Sequence, residues 1–308
     1  MQNGFVPEGC LYGTAENTEY IRSEAGLRLA AVTGRILEAV AVRCGRNLDL
    51  IVDLGAVTGV IPKGQTVYTE GEEIKDIAVI SRVGKAVCFT VDGFAGENGR
   101  RTAMLSRAQA QKNCVDGYLS YLQSGDVIKC RVTHTEKFGA FVDVGCGVPA
   151  LLPVDRISVS RISSASDRLR AGDDLRCVVN RVERSPLRIS LSLRELLGTW
   201  EENASCFSAG QTVRGVVRGV EPYGVFIELA PNLSGLSEYR DDVLPGDEVA
   251  VFIKSMDPAK MKIKLVVVGK TGRAAPRPLR YFVPEQLCHV YSFIYSTKDS
   301  TKLIRTDF

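Results

Sequence analysis

The sequence is short of the residues that build most catalytic and metal centres. Two histidines, His134 and His289, serve 308 residues, and none of the nine cysteines forms a C-x-x-C pair. The usual ligand spacings for zinc are therefore missing. There is no Gly-rich phosphate loop of the G-x-x-x-x-G-K-[ST] kind and no G-x-S-x-G nucleophile elbow. No apolar run approaches the ~20 residues that span a bilayer. Met1 to Phe5 shows no basic stretch leading into an apolar one, so a secretory leader is not expected. These gaps point away from an enzyme, a cofactor and a membrane partner. The odd cysteine count excludes a fully paired disulfide framework. Cys88 and Cys177 sit in apolar runs, as small buried hydrophobes do, and a reducing cytoplasm fits that usage.

Charge of one sign is also scarce, with a net of only +3. What positive charge there is lies in patches: residues 269–308 carry seven Lys/Arg against three Asp/Glu, and residues 124–195 carry twelve against nine. Residues 1–25 carry one against four. A phosphate backbone responds to local patches of this kind.

What the sequence does have is a repeat. Gly125-Asp126-Val127-Ile128 returns 85 residues later as Gly210-Gln211-Thr212-Val213. Fourteen residues after each opening glycine stands a second glycine, in Phe138-Gly139-Ala140-Phe141-Val142-Asp143-Val144 and in Tyr223-Gly224-Val225-Phe226-Ile227-Glu228-Leu229. Gly172-Asp173 and Gly246-Asp247 then mark turns before alternating strands at Leu175–Val182 and Val249–Ile253. A weaker upstream copy runs from Leu48-Asp49-Leu50-Ile51-Val52-Asp53-Leu54-Gly55 through Gly59-Val60-Ile61-Pro62, with a strand expected at Ile77–Val83. Ser106 with Gln109, and Ser192 with Glu195, have the spacing of capping boxes that open short helices between copies. Each copy reads as about five short strands. That number favours a small barrel of the OB type, though periodicity alone leaves a small sandwich open. Asp53, Asp143 and Glu228 recur at one place in the three copies, which suits a turn or strand role. His134 reads as a surface residue.

The Phe-Gly-Ala-Phe-Val-Asp-Val-Gly run, the Gly-Asp turn and the closing Ile189-Ser190-Leu191-Ser192-Leu193-Arg194 together resemble the S1 RNA-binding domain family. The likeness covers 124–195 and 208–268, and 26–107 in degraded form. It implies a mainly β chain with three tandem five-stranded OB-fold barrels at those ranges. Linker helices fall at 108–123 and 196–207, an N-terminal segment at 1–25, and a small C-terminal β extension at 269–308. It further implies binding of single-stranded RNA by stacked rings beside basic groups. Phe138 and Phe141 fill the family's aromatic slots in the second barrel, with Glu183 and Arg188 near the last strands. Tyr223 and Phe226 fill them in the third, with Asp257, Lys260, Lys262 and Lys264. Pro153 and Glu238 stand where the family often has a histidine, and Leu48 and Ile51 occupy the slots of the first barrel, which should bind RNA poorly. Tandem copies without an appended enzyme resemble the bacterial ribosomal protein S1 family. That implies a monomer working with messenger RNA and the small ribosomal subunit. RNA decay, transcription regulation or a protein-interaction scaffold are the alternatives.

Two points stay open in the residues. Positions three apart in a strand face opposite ways, so Phe138 and Phe141 share a face only if Gly139 allows a bulge or the strand ends there. The Lys260-x-Lys262-x-Lys264 alternation is either a phosphate track or a solvated face. Beyond the repeat, Arg273–Pro278 reads as a linker. Tyr291–Tyr295 and Leu303–Arg305 flank a polar stretch, as a hairpin would.

Overall fold

The computed structural model describes residues 4–55, 57–69, 71–96, 101–275 and 278–308. Residues 1–3 of the N-terminal segment, and 276–277 of the Arg/Pro-rich stretch expected to be a linker, lie outside them. The chain divides into two compact units, Met1–Leu122 with Asp143–Pro149 and Gln123–Val142 with Ala150–Phe308.

Three closed five-stranded barrels follow one another. The first comprises β1 (Leu37–Cys44), β2 (Leu50–Asp53), β3 (Thr58–Ile61), β4 (Ala86–Ala95) and β5 (Thr102–Ser106). The second comprises β6 (Val127–Glu136), β7 (Gly139–Asp143), β8 (Pro149–Pro153), β9 (Asp174–Arg184) and β10 (Leu187–Ser192). The third comprises β11 (Thr212–Glu221), β12 (Gly224–Ala230), β13 (Leu233–Ser237), β14 (Asp247–Asp257) and β15 (Lys262–Arg273). In each barrel the third strand runs parallel to the fifth, while the fourth runs antiparallel to both the first and the fifth. This is the OB-type closure that hides sheet edges. Strand alternation builds each core: Val249, Val251 and Ile253 of β14 point inward with Ile263, Leu265 and Val267 of β15. A C-terminal hairpin pairs β16 (Ser292–Ile294) with β17 (Arg305–Asp307).

Short helices complete the chain: α1 (Ala15–Ile21), α2 (Glu24–Thr33), α3 (Asp76–Ile80), α4 (Arg107–Gly117), α5 (Val154–Ile157) and α6 (Trp200–Ala204). Leu27 and Ala30 of α2 join the core of the first barrel. The strand expected at Ile77–Val83 is not there. That segment holds α3 and the turn after it, and the fourth strand is Ala86–Ala95 instead. The strand slot beside β1 needs a segment that buries several consecutive residues, which Val87 to Val91 do, whereas α3 buries only Val79.

The expected capping boxes are realised in part. Ser106 Oγ accepts from Gln109 N at 2.8 Å, but the Gln109 side chain turns to Asn113. Ser192 donates its hydroxyl to the Glu195 carboxylate and caps no amide there. The reciprocal box lies seven residues on, between Thr199 and Glu202. The Thr199 oxygen sits at the true first turn of α6, the geometry a box requires.

In the second unit the C-terminal residues pack back on the barrels. Arg176 N donates to Tyr281 Oη at 3.0 Å, Phe282 N donates to Leu196 O, and Tyr295 enters the core of the third barrel. One buried side chain ties these parts together. Asn232 Oδ1 accepts from Val159 N at 2.9 Å, and its Nδ2 donates to Arg194 O and Gly198 O at 2.8 Å. Its carbonyl accepts the Tyr295 hydroxyl at 2.6 Å.

Candidate nucleic-acid interface

In the second barrel the aromatic site grows out of the β6–β7 hairpin. Phe138 occupies the turn and β7 begins only at Gly139, so the strand ends where the two rings need it to. Phe138 is 57% exposed and meets Phe141 edge to face, centroids 6.0 Å apart at 89°. Gly139 is required by space: a Cβ there would stand 2.5 Å from Leu152 O. The third barrel repeats the arrangement. Tyr223 precedes β12, is 68% exposed, and meets Phe226 at 6.0 Å and 87°. A Cβ on Gly224 would stand 2.4 Å from Ser237 O. Perpendicular ring pairs at this separation are favourable, and each leaves a π-face open to a base.

His134 was not expected here. It is exposed on β6 and stacks on Phe141, centroids 4.6 Å apart and planes at 15°. Thr133 Oγ1 donates to Phe141 O at 3.0 Å, which fixes the cross-strand register. The second barrel thus presents three rings in a row. A short hairpin that sets residue 134 opposite residue 141 was the signal available in the sequence. The third barrel has Gly219 opposite Phe226, and no atom fills that space nearer than the Phe226 ring itself at 3.9 Å.

The charged residues fall into matching registers. Arg188 lies directly across from Glu183 on β9–β10, and Lys262 across from Asp257 on β14–β15. Glu183 ion-pairs with Arg181 at 3.1 Å and Asp257 with Lys260 at 3.5 Å. Lys260 lies in the turn before β15, so the three lysines do not share one strand. Lys262 and Lys264 do, both exposed. Phe226 pairs with Leu236 and Leu236 with Lys264, which places ring and ammonium in one outward row across three strands, roughly 10 Å apart at the Cα atoms. Pro153 ends β8. Glu238 follows β13, exposed, beside the Tyr223–Gly224 end of β12 by register. In the first barrel Leu48 packs toward the core, and Ile51 is half-buried.

The three recurrent acids have separate partners. Asp53 accepts from Gly55 N, and Asp143 from Gly145 N and Gly147 N, as turn residues do. Burial pushes the Asp143 carboxyl up to about 6, aided by the charge of Glu8 and opposed by the backbone donors. Glu228 instead receives two guanidinium groups, Arg168 at 2.8 Å and Arg218 at 2.8 Å. Among the described residues no group of three His, Cys, Asp or Glu side chains is placed to hold a metal. Among them, too, no helix is long and apolar enough to cross a membrane.

Fold and ring geometry together define a class, a tandem array of OB-type barrels with aromatic faces. Residues 121–194 match the family model of the S1 RNA binding domain, and the chain carries that domain there. Among its relatives is the small ribosomal subunit protein bS1 of Staphylococcus aureus, 28% identical over 232 residues, covering 71% of this chain and 58% of that protein. Its counterpart in Staphylococcus haemolyticus is 30% identical over 232 residues, covering 71% and 57%. The chain thus spans less than two thirds of the length of these relatives. Among solved structures, a multidomain protein with nucleic acid binding domains from Streptococcus pneumoniae is 14% identical, covers 76% of this chain and 73% of that one, and has a TM-score of 0.26.

Proposed function

We propose that this chain binds single-stranded RNA through its second and third barrels and works with the small ribosomal subunit in translation, as a monomer in the cytoplasm. The observation that carries the reading is the same perpendicular ring pair standing at the same hairpin in two barrels, each of which carries outward basic residues on its last strand. The contacts are Phe138, Phe141, Glu183 and Arg188 in one barrel, and Tyr223, Phe226, Asp257, Lys260, Lys262 and Lys264 in the other. A stacked base contributes about 1–3 kcal/mol, and linking two barrels makes the second contact intramolecular. The first barrel, with Leu48 and Ile51 in place of rings, serves as a docking module. The ribosomal setting draws on the names of the relatives.

Phe138→Ala with Phe141→Ala should weaken binding to an unstructured RNA at least about tenfold, the equivalent of ~1.4 kcal/mol. Unchanged affinity in that double variant, measured by fluorescence anisotropy with the fold intact, would sink the assignment. Affinity should also fall steeply with salt. Co-sedimentation with ribosomes at low and high salt separates the translational role from RNA decay or transcription regulation.

A further inference from the structure

The outer faces of the fourth and fifth strands are covered in the first two barrels and bare in the third. One cross-strand pair marks the place in each: Thr90 and Ser106, Val178 and Ser192, Phe252 and Val266. In the first barrel the chain leaves β5 at Ser106 directly into α4, which packs on β4. Thr90 and Ser106 are 5% and 0% exposed beneath it. In the second barrel the chain leaves β10 into the helical turn at Arg194–Leu196, which packs on β9, and Val178 and Ser192 are both 0% exposed. The third barrel has no such helix, because β15 runs straight on to Arg273. Phe252 and Val266 are 37% and 44% exposed, and Val268, next along the same face, is 61% exposed.

Residue size runs opposite to exposure. The covered positions hold Thr, Ser and Val, whereas the bare ones hold Phe and two Val. Large apolar side chains gathered in one exposed patch mark an interaction surface. Lys254 lies two residues from Phe252 on the same face, and Lys262 and Lys264 lead into Val266. No ion pair engages these three lysines among the described residues.

We infer that this face of the third barrel docks an amphipathic helix of a partner protein, with an apolar stripe and acidic flanks. The inference does not rest on the RNA reading, but it shares Lys262 and Lys264 with it, so helix and RNA would compete for them. The occupant is a helix because the chain's own helical segments occupy this place in the other two barrels. It is acidic because Lys254, Lys262 and Lys264 outnumber Glu238, the one acid that the β13–β15 register sets beside Val266. Those lysines oppose a second copy of the same face, and of its three apolar side chains only Phe252 offers a π-face to a base. Anchors at i, i+3 and i+4 along the helix would seat on Phe252, Val266 and Val268.

The test places the photo-crosslinking amino acid p-benzoylphenylalanine at position 268 of the full chain, irradiates cells, and identifies the joined peptide by mass spectrometry. The expected adduct is one recurrent protein segment with helical apolar spacing and Asp/Glu flanks. Its yield should drop at least about tenfold when Phe252→Thr is combined with Lys254→Glu, the loss typical of a central anchor. Because Phe252 is only 37% exposed, thermal unfolding checks that the variant stays folded, and Lys254→Glu alone, at an exposed side chain, should also lower the yield. An adduct with nucleotides, with a second copy of the chain, or with no recurrent segment overturns the inference. So does a yield that the paired substitution leaves unchanged.

Discussion

Glu228 is the residue whose loss should cost the second unit most. Arg168 donates to both of its oxygens, at 3.1 and 2.8 Å, and Arg218 reaches the same carboxylate through Nε at 2.8 Å. The Arg168 and Glu228 side chains are 5% and 7% exposed. Glu228→Gln keeps the shape and removes the only negative charge in this trio, leaving two guanidinium groups in a desolvated place. Breaking a buried pair in this way costs about 3–5 kcal/mol. Arg168→Met is the informative contrast. It leaves Glu228 paired with Arg218, so it should cost less, about 1.5–3 kcal/mol, the scale of hydrogen bonds to a charged group. The assay is urea unfolding followed by fluorescence of Trp200, the single tryptophan, which is buried in the core of the third barrel. Equal losses in the two variants would refute the reasoning. So would a Glu228→Gln cost below about 1 kcal/mol, which would mean that the arginines find solvent.

His134→Ala should weaken RNA binding about two- to tenfold, the scale of one aromatic pair. Gly219→His, measured in the chain lacking Phe138 and Phe141, should recover part of the lost affinity by placing a second ring on Phe226. Equal affinities with and without each substitution would show that the third ring is idle. Glu38 gives a pH signature in the first unit. Its Oε2 accepts from Gly9, Leu11 and Tyr12 amides, yet burial pushes the carboxyl up to about 7. Between its ordinary value of 4.5 and about 7 the folded state binds more protons than the unfolded one. Stability should therefore fall as pH rises through that window, by roughly 3 kcal/mol at most. Glu38→Gln should flatten the slope; parallel curves for the two proteins would contradict it.

Much of the fold was legible because the repeat carries its own punctuation. The glycines before each aromatic motif and the Gly-Asp turns divide the second and third barrels at points the strands respect. The first barrel was harder. Ile77–Val83 is as β-branched as a strand, and a short apolar run does not distinguish a strand from a helical turn. Only the competing segment at Val87–Val91, buried at every position, decides it. The ring pairs were visible as residues, but their shared face depended on where β7 and β12 begin. His134 escaped because its meaning comes from a neighbour across the hairpin. The Arg168–Glu228 bond and the Asn232 bonds to Val159 and Tyr295 join residues 60 or more positions apart, which no local pattern reports.

The most direct measurement is ultraviolet crosslinking of oligouridine to the full chain, with the attached residues located by mass spectrometry. Stacked rings should carry the adducts: Phe138, Phe141 and His134 in the second barrel, Tyr223 and Phe226 in the third, and none on Leu48 to Asp53 of the first. Adducts confined to the first barrel, or spread over the chain without enrichment at those rings, would contradict the account.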